Sequence, residues 1–194
     1  MTHPAPEFEH LTAEQARAIR DTVEDIYRRS YVAAIQSGDP FDSPEEFMTR
    51  FDAYTSRGNG FELVLARIDG KAVGQAWGWP LQPNARWWNP LRLDDPSIDR
   101  DEFVAETGTR TFALSEIMVD SAYIGHGIAR ALHDELLTHR REQRATLLVE
   151  AENQRAYERY LSWGWRKVGT ARPSWPDAPL FDVLIRDLGS AGLR

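Results

Sequence analysis

The sequence predicts an α/β protein, a mixed sheet with helices packed against it. Three observations lead there. A run of strand character from Phe112 to Val119 ends in Asp120 and Ser121, passes an alternating glycine pair, Gly125 and Gly127, and enters an apolar helical pattern. Asp69-Gly70 separates two β-rich runs, Phe61 to Ile68 and Lys71 to Trp79, and Asp-Gly between such runs signals a hairpin. The strands at 111–119 and 146–150 are joined by a helical pattern, and a crossover helix makes neighbouring strands parallel.

The elements follow in order. Phe8 to Leu11 reads as a short first strand. Thr12 opens a helix, because Gln15 three residues on completes a capping box. Ile19, Val23, Ile26 and Tyr27 recur at helical spacing, and the stripe runs on through Tyr31 to Ile35, which predicts one long helix. Gly38-Asp39-Pro40 stops it. Ser43-Pro44-Glu45-Glu46 starts the next, with a capping serine, a first-turn proline and acids on the positive dipole end. Phe47, Phe51 and Tyr54 line one face of that helix, and Gly58-Asn59-Gly60 ends it.

Residues 80–110 break the pattern, with Pro80, Pro83, Pro90, Pro96, the pair Trp87-Trp88 and many carboxylates. A loop of this length in a compact domain is functional or disordered. After the glycine pair, Ile128, Ala131, Leu132 and Leu136 mark a helix face. Thr146 to Glu150 is a strand and Asn153 to Trp163 a helix, capped by Asn153 and stopped by Gly164. Trp165 to Ala171 and Phe181 to Leu188 are the last strands, joined by a Pro- and Trp-containing loop over 173–179.

With 194 residues, one domain over 1–194 is expected. The absence of cysteine excludes disulfides and thiolate chemistry and fits a cytoplasmic protein. No stretch approaches a transmembrane span, and the first ten residues lack the pattern of a secretory signal. The net charge of −7 disfavours nucleic acid and anionic membrane as partners and favours a cationic one. Asp94, Asp95, Asp99, Asp101, Glu102 and Glu106 would form an acidic rim for such a partner. The five histidines form no metal pattern, so no metal is expected, and His133 and His139 read as helix-surface residues.

Strand, glycine turn and helix start make a physical device. Glycine takes φ > 0 and lets backbone lie against a ligand. The helix start adds unpaired N–H groups and a positive dipole end, which suits phosphate or pyrophosphate. The strand ending EIMVD, the turn YIGHGIA, a helix, the strand LLVEAEN and then AYERYLSWGW follow in that order. The order resembles the GCN5-related N-acetyltransferase (GNAT) superfamily, most closely over residues 111–169. The family's pyrophosphate turn, Gln/Arg-x-x-Gly-x-Gly/Ala, falls on Ile124 to Ala129, where Gly127 and Ala129 fit and Ile124 departs.

The resemblance implies a mostly antiparallel mixed sheet with a splayed parallel pair. Backbone of Ile117, Met118 and Val119 would meet the pantetheine arm of acetyl-CoA. Gly125, His126, Gly127, Ile128, Ala129 and Arg130 would hold its pyrophosphate. Asn153 would contact the arm, and Tyr160 would sit near the sulfur as the acid. Asn153, Tyr157 and Tyr160 share a helix face, which leaves Tyr157 either a ligand contact or a core residue. Glu116 lies in an apolar row with Phe112, Leu114 and Met118. Partial burial would raise its pKa and suit it to act as base, directly or through water; its other role is to orient backbone or solvent.

The expected activity is transfer of an acetyl group from acetyl-CoA, as co-substrate, to a primary amine of a small cationic molecule. A protein or peptide acceptor and a non-catalytic acyl-CoA-binding module remain as alternatives, and a homodimer is compatible with all three.

Overall fold

β1, Glu7–Thr12, ends on the residue that caps the first helix. In the computed structural model, which describes residues 4–174 and 178–189, Thr12 accepts from Gln15 N–H while the Gln15 side chain accepts from Thr12 N–H at 2.9 Å. Three helices follow where one was expected: α1, Ala13–Ala18; α2, Arg20–Ser30; and α3, Val32–Ser37. The breaks fall at Ile19 (φ −109°, ψ 27°) and Tyr31 (φ −104°, ψ 34°), and neither is glycine or proline. The bends therefore come from tertiary packing: α1 lies against β1 and the helix that Ser43 caps, while the Val23 carbonyl in α2 accepts the Gln75 side chain at 3.0 Å. Here α4 is Pro44–Thr55, capped by Ser43 with Pro44 in its first turn.

β2, Glu62–Ile68, and β3, Lys71–Pro80, form the hairpin, with Asp69 at φ 49° and Gly70 at φ 76° as a two-residue turn of the primed type requires. The segment that read as a long loop holds β4, Leu91–Leu93, and α5, Arg100–Val104. Both are shorter than the window over which periodicity is legible. β5, Thr111–Val119, leads through a 3-10 turn at Ser121–Tyr123 to α6, Ile128–Thr138. β6, Arg144–Glu150, α7, Gln154–Ser162, β7, Arg166–Ala171, and β8, Phe181–Asp187, complete the chain. Part of the loop between β7 and β8 lies outside the described residues.

Two compact units share these elements, Met1–Trp79 with Ser115–His139, and Pro80–Leu114 with Arg140–Arg194. β5 contributes its second half to one and its first half to the other. In the first unit the strand order is β1-β2-β3-β5, with β1, β2 and β3 antiparallel. Its core holds Val23, Ile26, Phe47, Phe51, Leu63, Leu65, Val73, Trp77 and Leu132, all at most 1% exposed. Each such side chain stabilises the fold by about 1.5–3 kcal/mol before chain entropy is counted.

In the second unit the order is β5-β6-β8-β7-β4, and β5–β6 is its parallel pair. The parallel ladder covers only Thr111–Ala113 of β5, although β5 runs on to Val119 and β6 to Glu150. The architecture is thus α/β, with one parallel pair in an otherwise antiparallel sheet. A buried polar cluster anchors the 80–110 segment. Glu106 accepts from Trp88 Nε1 at 2.9 Å and from Thr111 Oγ1 at 2.7 Å, and the Arg144 guanidinium lies over the rings of Trp88 and Phe103. The cluster also corrects the acidic-rim expectation. Glu106 is buried and leaves the rim, while Asp94, Asp95, Asp99, Asp101 and Glu102 are exposed.

Candidate active site

The first unit carries the glycine turn. Asp120 ends β5 and caps the 3-10 turn, accepting from Ala122 N–H at 3.0 Å. Gly125 (φ 91°) and Gly127 (φ 78°) then adopt the left-handed conformation, and a Cβ on either would meet nothing within 4 Å. The backbone therefore borders open space on the side a larger residue would fill. Gly127 N-caps α6 without a side-chain cap, and the first bond back to it is Ala131 N–H to Gly127 O at 3.0 Å. The N–H groups of Ile128, Ala129 and Arg130 precede that bond and so have no acceptor inside the helix. Ile128 is 3% exposed and anchors the helix start in the core. His126 Nδ1 lies 3.1 Å from Tyr123 O, and Arg130 donates to Asp134 at 2.5 Å. Open glycines, helix-start N–H groups with no acceptor inside the helix and a positive dipole end fit a pyrophosphate, as acetyl-CoA carries.

Glu116 lies on β5 in the same unit. Its row mates Phe112, Leu114 and Met118 are buried, while Glu116 is only half-buried. Among the described residues no group hydrogen-bonds its carboxylate. Protein surrounds it closely enough for desolvation to raise its pKa to about 7, against a lowering by Arg50. Arg50, on α4, forms no ion pair with it. The Arg50 guanidinium instead sits 4.0 Å above the Phe41 ring and donates to Phe41 O at 3.0 Å.

Two phenols share this environment. Burial, then Asp42 and Glu116, push Tyr27 up to about 12, and Tyr27 donates to Asp42 O at 2.9 Å. Burial and the Glu116 charge raise Tyr54 as well. Tyr27 stacks on Phe47 at 3.8 Å between centroids, and Tyr54 packs on Trp79 at 4.5 Å. Arg50, Tyr27 and Tyr54 were not legible as site residues, because the tyrosines sit at apolar-stripe positions and all three are far from Glu116 in sequence.

In the second unit, Asn153 N-caps α7, its Oδ1 accepting from Ala156 N–H at 3.3 Å. Tyr157 and Tyr160 are half-buried. α7 ends in a Schellman motif: Gly164 (φ 86°) N–H bonds Leu161 O at 3.1 Å, and Trp165 N–H bonds Tyr160 O at 3.1 Å. The Tyr160 ring meets those of Trp163 and Trp165 edge-on, at 5.7 and 6.1 Å. The expected site residues thus fall into two groups. Glu116 to Val119 and Gly125 to Arg130 lie in one unit, and Asn153, Tyr157 and Tyr160 lie in the other. His133, expected on the helix surface, is buried and hydrogen-bonds Asp134 at 2.8 Å.

Residues 20–165 match the profile of the acetyltransferase (GNAT) family. The chain belongs to that family. It is an acyltransferase by class. Solved structures share its fold at low sequence identity. A GNAT-family protein from Desulfovibrio desulfuricans subsp. is 14% identical, with TM-score 0.62, covering 95% of this chain and 100% of the other. The ribosomal-protein-S18-alanine N-acetyltransferase from Escherichia coli is 17% identical, with TM-score 0.62 and 96% of each chain covered. The protein yncA from Salmonella typhimurium, solved with its cofactor acetyl-CoA, is 12% identical, with TM-score 0.57 and 98% of each covered. No curated protein matches the sequence. Within the described residues, no helix is long and apolar enough to cross a membrane, and no group of three or more His, Asp or Glu side chains could hold a metal ion.

Proposed function

We propose that this GNAT member acetylates a primary amine of a small cationic molecule by direct transfer from acetyl-CoA. The observation that carries the reading is Glu116, a carboxylate with a pKa near 7, free of hydrogen bonds among the described residues and within electrostatic reach of Tyr27 and Tyr54. An amine arrives as an ammonium and attacks only when neutral. A carboxylate near 7 accepts that proton at neutral pH, directly or through one water. Tyr27 and Tyr54 stay protonated there, and Tyr54, which is half-buried, offers a neutral face to a cation.

Bound acetyl-CoA would supply the thioester acetyl group. The chain's own groups then have separate tasks. The N–H groups from Gly125 to Arg130 hold the pyrophosphate, and backbone of Ile117 to Val119 aligns the arm. Asn153 steadies it with the side-chain amide that its cap leaves over, and Tyr157 borders it. Tyr160 gives a proton to the leaving sulfur. Positioning supplies much of the rate, because two reactants held together no longer pay for their encounter. We also read 1–194 as one domain working in the cytoplasm. Supporting this, the family match extends into both units and β5 belongs to both.

The test is a panel of polyamines, aminoglycosides, amino acids and peptides, scored by release of free CoA thiol. A small cationic amine should turn over fastest. Best turnover with a peptide, or with a neutral or anionic amine, would replace this reading, and no turnover of any amine by protein that binds acetyl-CoA would favour a binding module.

A further inference from the structure

A charged cluster closes the end of β5, and the chemistry above does not use it. Asp120 is 3% exposed, yet it is a carboxylate with two cationic partners from distant segments. Arg29, on α2, donates to it through Nη1, and Lys71 Nζ, at the start of β3, lies 3.3 Å away. Arg29 is itself fixed, because Nη2 donates to Ala72 O at 2.9 Å and Nε donates to Asp25 at 3.0 Å.

The backbone of Asp120 is held as firmly as its side chain. Its N–H donates to Val73 O at 2.8 Å, which ties the end of β5 to β3. Its carbonyl accepts from Tyr123 N–H at 2.8 Å, while its carboxylate accepts from Ala122 N–H at 3.0 Å. The next links lead on toward the glycines. Lys71 Nζ lies 5.4 Å from the Tyr123 ring centroid, and His126 Nδ1 reaches Tyr123 O. Burial alone would raise the Asp120 pKa, but Ala122 N–H, Arg29 and Lys71 outweigh it and hold the group ionised.

We propose that Asp120, clamped by Arg29, is a positioning residue that pre-sets the 125–130 turn for the pyrophosphate of acetyl-CoA. This rests on the reading of that turn given above. The physical case is one of order. Gly125 and Gly127 have wide conformational freedom, and fixing each such residue on binding carries an entropy cost. A turn fixed in advance from its N-terminal side has already met part of that cost when the ligand arrives. Ile128, buried in the core, fixes the other side. The ligand never touches Asp120. A direct role would be unfavourable in any case, since carboxylate and pyrophosphate repel.

That repulsion makes the test decisive, because the two effects have opposite signs. If Asp120 acts only as a nearby charge, removing it strengthens CoA binding. If it positions the turn, removing it weakens binding. Calorimetry with CoA on the wild-type protein comes first, and absence of binding there would reject the pyrophosphate reading itself. With wild-type binding in hand, Asp120→Ala should raise the Kd for CoA roughly tenfold or more, the scale of one charge-assisted hydrogen bond. Asp120→Asn keeps an acceptor for Ala122 N–H and should recover part of the loss. The KM for acetyl-CoA should rise more than kcat falls, which a general loss of structure would not produce. A folded Ala variant with unchanged or tighter CoA binding overturns the proposal. If that variant does not fold, Arg29→Gln leaves the cap in place and releases the clamp; a raised Kd supports the proposal, and an unchanged one overturns it.

Discussion

Trp165 donates its backbone N–H to the carbonyl of Tyr160 across the left-handed Gly164, at 3.1 Å, and its ring lies edge-on to the phenol at 6.1 Å. One helix ending thus fixes both the backbone and the ring of Tyr160. Tyr160→Phe retains that packing and removes only the hydroxyl. If the phenol protonates the leaving thiolate, kcat should fall roughly 10²-fold or more. Acetyl-CoA affinity should change little. Steady-state rates with the best amine decide it, and a Phe variant with near-normal kcat makes Tyr160 a packing residue.

Glu116 should set the acidic limb of the pH profile. With its pKa near 7, kcat/KM should rise with pH until the carboxylate is ionised. Glu116→Gln should lower kcat roughly 10²-fold or more and flatten that limb. Stability moves the other way. The folded protein holds this proton to about pH 7, whereas the unfolded chain releases it near 4.5. Between those values the folded state binds more protons, so this residue's contribution falls as pH rises. The melting temperature of Glu116→Gln relative to wild type should therefore increase from pH 5 to pH 8. A constant difference would mean that the carboxyl is not desolvated.

The glycine turn should answer to ligand. Acetyl-CoA at about 100 times its dissociation constant should stabilise the fold by roughly 2.7 kcal/mol, or about 5–10 °C in a chain of this size. Gly127→Val should abolish the shift. It places a β-branched residue at φ 78°, where only glycine is at ease, and puts methyl groups into the open space. Differential scanning fluorimetry with and without acetyl-CoA reads both effects. No wild-type shift at millimolar ligand would reject the site.

His10 links β1, β2 and α6. Its Nδ1 bonds Glu62 at 2.7 Å and its Nε2 bonds Glu135 at 2.8 Å. Desolvation lowers its pKa, but the two carboxylates outweigh that and the net shift is upward from 6.5. The stabilisation is therefore complete below pH 6.5 and is lost as pH rises through the higher folded value. His10→Asn should lower the melting temperature more at pH 6 than at pH 9. An equal loss at both would show that the imidazolium charge contributes nothing.

Local rules wrote much of this protein into its sequence. The Thr12–Gln15 capping box, the Ser43 cap, the Asp69-Gly70 turn, the glycines at 125 and 127 and the helix end at Gly164 all stand as expected, because each depends on residues a few positions apart. The row that carries Glu116 was legible from alternation alone. Tertiary structure decided the rest. It broke the first helical stripe at Ile19 and Tyr31, where no breaker stands. It buried Glu106 beneath Trp88 and Arg144 and drew His133 inside. It also set Tyr27, Tyr54 and Arg50 within electrostatic reach of Glu116. The order of residues shows that a carboxylate sits in an apolar row. The strength of that carboxylate as a base depends on how many water molecules and charges the distant helices leave around it, and periodicity carries no record of that.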